Sequence, residues 1–223
     1  MTALSNNKIL ISIEGNIGVG KSTFASMIKG HIDNSEIICE PIDIWKNMKD
    51  TDGENILQKF YKDIPRWAYS FQNLACISRM IKIEDTIRNT DAKYIFLDRS
   101  LGTDKNVFEK MLYDTKKISE IEHQMYNMWC DFYSKYIRTD SENIIIYLKC
   151  SPMTAYNRIQ KRGRDEEKTI ELAYLTDLNT YHDAWLLQNK SNQKIITIDC
   201  DREFENDPEY QYEIINKILT EIS

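Results

Sequence analysis

Residues 9–22, Ile9-Leu10-Ile11-Ser12-Ile13-Glu14-Gly15-Asn16-Ile17-Gly18-Val19-Gly20-Lys21-Ser22, pass from a β-branched apolar run into a Gly-x-x-x-x-Gly-Lys-Ser turn. A strand, that turn and a following helical stretch make the phosphate-binding loop of nucleotide enzymes. The chemistry asks for these residue types. Gly15, Gly18 and Gly20 let successive backbone N–H groups, those of Asn16, Ile17 and Val19 among them, curl around phosphate oxygens, and the helix N-terminus adds its partial positive charge. Lys21 is placed to reach the β- and γ-phosphates and the Ser22 hydroxyl to ligate Mg²⁺. The plain alternative is a glycine-rich strand-to-helix turn with an incidental lysine. Strand, spacing, Lys-Ser and helix in register favour a nucleoside triphosphate site.

Outward from this loop, short apolar runs recur at 9–13, 36–39, 94–97, 144–148 and 195–198, with helical patterns between them at 21–32, 51–61, 65–89, 103–112, 119–137, 152–161, 170–188 and 208–222. Five unbroken apolar strands alternating with helices imply an α/β fold, a five-stranded parallel sheet with helices on both faces. The whole of 1–223 reads as one domain, without repeats or low-complexity linkers. The helix over 119–137 carries many aromatic residues and methionines, and a core face is the commoner explanation for them than a dimer face. A net charge of −6 argues against a nucleic-acid footprint. No window is apolar for long enough to span a bilayer, and no targeting segment opens the chain. Five cysteines without Cys-x-x-Cys spacing fit a reducing, cytoplasmic setting; Cys39, Cys150 and Cys200 fall at expected strand ends, as small apolar residues.

Ligands of such sheets bind at the carboxyl ends of the strands, which singles out two further segments. Glu40, followed by Pro41, could accept a proton from an attacking hydroxyl, or be a solvated loop glutamate. In Asp98-Arg99-Ser100 the acid could hold Mg²⁺, directly or through water, while Arg99 neutralises a phosphoryl group or fixes Glu40. A third cluster, Arg158, Arg162, Gly163 and Arg164, leads into Asp165-Glu166-Glu167. It reads as an arginine-rich lid over about 162–168 whose guanidinium groups stabilise charge in phosphoryl transfer; the alternative is a solvated helix end.

Together these segments resemble the deoxycytidine/deoxyguanosine kinase family of deoxynucleoside kinases, which have a P-loop kinase fold. The resemblance runs over 8–222 on Glu14-Gly-Asn-Ile-Gly-Val-Gly-Lys-Ser-Thr23, Glu40-Pro-Ile-Asp-Ile-Trp45, Pro65-Arg-Trp-Ala-Tyr-Ser-Phe-Gln72, Asp98-Arg-Ser100 and Arg162-Gly-Arg-Asp-Glu-Glu167. It implies that the loop through Ser22 and Thr23 binds ATP or another triphosphate with Mg²⁺, and that Glu40 is general base on a nucleoside 5′-hydroxyl, with Arg99 beside it. It further implies that Gln72 pairs with the base, that Trp45 and Phe108 flank it, and that Tyr61 and Glu167 bind the sugar 3′-hydroxyl. Arg79 and Asp104 match a pair found in members that prefer deoxycytidine and purine deoxynucleosides to thymidine. Asp201-Arg202-Glu203-Phe204 matches the loop that grips the donor base, although Arg202 replaces an acid there, and Arg162 joins Glu203 and Phe204 among the donor-binding residues. Asp98 stands where deoxycytidine kinase carries glutamate. A homodimer is implied by the resemblance alone. The rival readings are a nucleoside monophosphate kinase like thymidylate kinase, which needs a cation near Glu40 for the acceptor's phosphate, and a nucleotide-dependent switch without an acceptor pocket.

Overall fold

The computed structural model describes residues 8–137, 144–164, 167, 169–188 and 193–222. Its strands are β1 (Ile9–Glu14), β2 (Ser35–Ile38), β3 (Tyr94–Asp98), β4 (Ile144–Lys149) and β5 (Lys194–Asp199). They form one parallel sheet in the order β2-β3-β1-β4-β5. β1, rich in isoleucine and paired on both sides, is central, and its Ile13 lies opposite Asp98 of β3. The ends of β2, β3 and β1 therefore lie side by side, which places Glu40, Asp98-Arg99 and the phosphate loop next to one another.

Strand side chains alternate between faces, and the two faces bury different helices. Ile11, Ile13, Phe96, Ile146 and Leu148 pack with Phe24 and Ile28 of α1 (Lys21–His31) and with Ile214 and Ile218 of α10 (Pro208–Ile222). Leu10, Ile95 and Leu97 pack with Cys76, Met80 and Ile83 of α4 (Ile64–Asn89) and with Tyr126 and Cys130 of α7 (Glu120–Ile137). Asp63 caps α4 by accepting from Arg66 N at 3.2 Å, and Pro65 occupies its first turn, where a missing N–H costs nothing.

Several expectations need correcting. The helix expected over 51–61 is α3 (Ile56–Lys62): the Asp50 carboxylate binds the amides of Asp52 and Glu54, a turn results, and Asn55 begins the helix through a capping box with Gln58. A short helix, α2 (Ile42–Asn47), was not expected; Pro41 supplies its start, and Ile42 N turns back onto Glu40 O at 2.8 Å. β2 ends at Ile38, so Cys39 is exposed and not a buried strand-end residue.

The helix expected over 103–112 runs over 101–114: α5 (Leu101–Thr103), a π-helical stretch (Asp104–Glu109) and α6 (Lys110–Asp114). α8 (Pro152–Arg162) and α9 (Leu172–Leu186) complete the fold, with Gly163 closing α8 in a left-handed conformation. The apolar residues of α7 do not all form a core face. Ile121, Met125, Met128, Trp129 and Phe132 are exposed, up to 73% for Met128, and α4 adds exposed Ile77 and Ile81. No helix among the described residues is long and apolar enough to cross a membrane.

Candidate active site

Gly15, Gly18 and Gly20 all have positive φ, at 146°, 82° and 106°. A Cβ on Gly15 would stand 2.4 Å from Leu148 O, and one on Gly18 2.5 Å from Ala155 O, so the loop seats directly on β4 and α8. Lys21 Nζ donates to Gly15 O (3.1 Å) and Asn16 O (2.8 Å), which closes the loop around the ammonium. Burial, and then the nearby Arg99, lower its pKa to about 7. Asn16 turns its amide inward onto Leu175 O at 2.8 Å, and Val19 is buried, so these two offer the site backbone rather than side chain. Ile17, Ser22 and Thr23 line the pocket.

Glu40 sits between two guanidinium groups. Its Oε1 accepts from Arg99 Nη1 at 2.8 Å and from Arg79 Nη2 at 3.2 Å. Burial alone would raise its pKa; Arg99, Arg79 and Lys21 outweigh that and hold it at about 2. Arg79 is shared. Its Nε and Nη2 reach both oxygens of Asp104, at 2.9 and 3.3 Å, and its Nη1 donates to Asp98 O at 2.7 Å. Arg99 also lies over the Phe108 ring, 5.1 Å from its centroid.

The wall beyond is aromatic. Trp45 is fixed by an Nε1–H bond to Ser78 Oγ (2.9 Å) and by a T-shaped contact with Phe71, the ring centroids 5.2 Å apart. Gln72 is 2% exposed, and its Oε1 has no hydrogen-bond partner among the described residues. A buried amide oxygen is costly unless something donates to it, so this atom marks where a ligand donor belongs. Tyr61 completes the wall, its phenol pushed well above the usual range by burial. Glu167, beside it, accepts from Arg162 Nη2 at 2.5 Å and lies 3.6 Å from Arg164. Asp165, Glu166 and Lys168 of the expected lid lie outside the described residues.

One pocket thus brings together the loop, Glu40, Trp45, Tyr61, Gln72, Arg79, Asp98, Arg99, Asp104, Phe108, Arg162, Arg164 and Glu167. Of the expected loop residues Gly15, Asn16 and Val19 do not line it, and neither do three expected residues from outside the loop. Arg158 donates to Val19 O at 3.1 Å and braces the loop from behind. Phe204 is buried edge-on against Phe24 and next to Gly20, where it supports the loop. Glu203 accepts from Glu205 N within its own turn, while Arg202 is held over Tyr210 by Asp207 and Glu213.

The residues present fit a divalent cation. Asp98 Oδ1 is buried without a hydrogen-bond partner among the described residues, and the exposed Ser22 hydroxyl lines the same pocket. A carboxylate and a hydroxyl are hard oxygen donors of the kind Mg²⁺ uses alongside phosphate oxygens and water. Sequence reasoning missed Ser78 and Glu14. Glu14 is fully buried and accepts from Ser100 N (3.0 Å), Ser100 Oγ (2.6 Å) and the Thr103 hydroxyl. A glutamate ending an apolar strand signals burial with polar partners, but the strand does not say which.

Comparison with known proteins agrees with this geometry. A family model described as "Deoxynucleoside kinase" matches residues 11–223. Deoxycytidine kinase of Rattus norvegicus is 33% identical over 94% of this chain and 90% of its own length. Mitochondrial deoxyguanosine kinase of Xenopus laevis is 32% identical over 97% and 92%. A probable deoxycytidine kinase of Fowlpox virus is 35% identical over 96% and 88%.

Proposed function

The chain belongs to the deoxynucleoside kinase family, and we propose on that premise that it transfers the γ-phosphoryl group of ATP, or another nucleoside triphosphate, to the 5′-hydroxyl of a deoxynucleoside. Deoxycytidine and purine deoxynucleosides are the preferred acceptors. The observation that carries this reading is Glu40, a carboxylate clamped by Arg79 and Arg99 in the same pocket as the phosphate loop and the unpartnered Gln72 amide.

The acceptor base enters between Trp45 and Phe108, and Gln72 supplies paired hydrogen bonds to it. Tyr61 and Glu167 take the sugar 3′-hydroxyl, which leaves the 5′-hydroxyl toward Glu40. Phosphoryl transfer is loose, with charge spread over the transferred group. A carboxylate with a pKa near 2 is a weak base, so it orients the hydroxyl first and accepts its proton late, when the oxygen has become strongly acidic. The loop amides and Lys21 hold the triphosphate, with Arg158 and Phe204 bracing the loop from outside. Arg162 and Arg164 line the same pocket, and closure there would exclude water that otherwise hydrolyses the donor. Ser22 and Asp98 would hold Mg²⁺, which neutralises charge on the β- and γ-phosphates.

A carboxylate at the 5′ position repels an acceptor that already carries a phosphate, which disfavours a monophosphate kinase. Deoxycytidine, deoxyadenosine, deoxyguanosine and thymidine are to be assayed against dCMP and dTMP with ATP·Mg²⁺. Turnover of the first three is expected, and Glu40→Gln should lower kcat at least about 100-fold with nucleoside affinity nearly unchanged. Turnover of monophosphates only would refute the reading. The outward apolar face of α4 and α7 supports a homodimer, and five free cysteines are in keeping with a reducing, cytoplasmic setting.

A further inference from the structure

Glu14 has no part in the mechanism above, yet it joins the donor and acceptor halves of the site. It ends β1, directly before the phosphate loop, and its carboxylate reaches the chain that follows β3. Oε1 accepts from the amide and the hydroxyl of Ser100, Oε2 from the Thr103 hydroxyl, and Ser100 Oγ in turn accepts from Gly102 N at 3.1 Å.

Between Asp98 and Ser100, Arg99 has a φ of +65°. That left-handed conformation is disfavoured for a residue with a long side chain and persists only where its surroundings impose it. Both amides that flank the Arg99 Cα are bound to consecutive β1 residues: Arg99 N donates to Ile13 O at 3.0 Å, and Ser100 N to Glu14 Oε1 at 3.0 Å. The two bonds orient the peptide planes before and after the Cα, and so fix φ and ψ together. The guanidinium delivered this way meets Glu40 Oε1 at 2.8 Å.

We propose that Glu14 is a positioning residue: by holding the Ser100 amide it keeps Arg99 in the left-handed turn that sets its guanidinium on Glu40. The inference rests on the reading of Glu40 and Arg99 as the groups that act on the acceptor hydroxyl. A role confined to capping the 101–114 helix would lower stability and leave the turnover of folded molecules alone.

The test compares Glu14→Met, which keeps length and loses the acceptor oxygens, with Glu14→Gln, which keeps one oxygen for the Ser100 amide, and with Ser100→Ala, which loses the hydroxyl but keeps that amide. Steady-state kinetics with deoxycytidine and ATP·Mg²⁺, and melting temperatures, are measured for each. Glu14→Met should lower kcat about tenfold with the deoxynucleoside KM within about twofold. Glu14→Gln should stay within about threefold of the unaltered chain, and Ser100→Ala within about twofold despite a lower Tm. Should Glu14→Met not fold, Glu14→Asp, one methylene short of Ser100, takes its place with the same expectation. Unaltered kcat in the Met or Asp variant overturns the proposal, as does a loss in Glu14→Gln or Ser100→Ala as large as theirs. Arg99→Gly is the control for the underlying reading: full kcat there refutes Arg99 as an acting group, whatever the Glu14 variants do.

Discussion

At the scale of single residues, Arg79 does two things at once. It holds Asp104 through two hydrogen bonds, and its Nη2 also reaches Glu40. On the proposed reading, Asp104 would offer an acceptor to the exocyclic amine of cytosine or adenine; toward thymine the same oxygen would face a carbonyl, a costly pair without a shared proton. Exchanging Arg79→Met together with Asp104→Ala should raise thymidine kcat/KM at least about tenfold, a gain of roughly 1.4 kcal/mol in transition-state binding. Maximal kcat should fall, because Glu40 then keeps only Arg99. No gain in thymidine turnover would refute the assignment of this pair to the base. The pKa of Glu40 carries a second expectation. It lies at about 2 in the fold against an ordinary 4.5, so Glu40 favours the folded state fully above pH 4.5, and that contribution disappears as pH falls from 4.5 toward 2. Denaturant titrations should show an excess stability over Glu40→Gln, on the order of 3 kcal/mol, that shrinks across this window. An excess independent of pH would mean that Glu40 is not held ionised by its arginines.

At the scale of elements, the phosphate loop is packed closely against its neighbours β4 and α8. Gly18 has a φ of +82°, and its missing side chain is what lets the Ala155 carbonyl of α8 approach. Gly18→Ala should therefore weaken donor binding at least about tenfold and destabilise the fold by about 2 kcal/mol, since both the backbone strain and the clash fall on backbone atoms that cannot swing aside. Calorimetric ATP binding and thermal melts measure the two effects, and an unaffected Tm would mean that α8 shifts freely. The loop itself was legible because each of its residue types answers a local demand: positive φ, an ammonium, a hydroxyl. The strands were legible for the same reason, as unbroken β-branched runs. The turn that delays α3 to Ile56 was not, because a helical pattern over 51–61 does not reveal that the Asp50 carboxylate captures the amides of Asp52 and Glu54. Trp45, Tyr61 and Phe108 show the limit for the site. Each is apolar enough to pass for core, and only the resemblance, not their spacing, directed them to a base or a sugar. Glu14 and Ser78 stayed hidden because their partners lie 86 and 33 positions away.

At the scale of the whole molecule, the packed helices α4 and α7 both leave large apolar residues exposed, Trp129 at 49% and Met128 at 73%. α7 is amphipathic in an unusual sense, with Tyr126 and Cys130 buried against the sheet and a second apolar stripe facing away from it. A second copy meeting this face would bury both stripes. Light scattering of the unaltered chain should give a dimer mass, and a Met128→Glu, Trp129→Glu double substitution a monomer; a monomer from the unaltered chain refutes the assignment. The sheet order carries a different consequence. β1, which leads into the phosphate loop, is paired on both sides, whereas β2, four residues long and mostly half-buried, leads to Glu40 from the sheet's edge with β3 as its one strand neighbour among the described residues. Local opening starts where pairing and burial are least. The two halves of the site are therefore expected to differ in permanence: local opening at β2 should release and recapture Glu40 while the phosphate loop keeps its form.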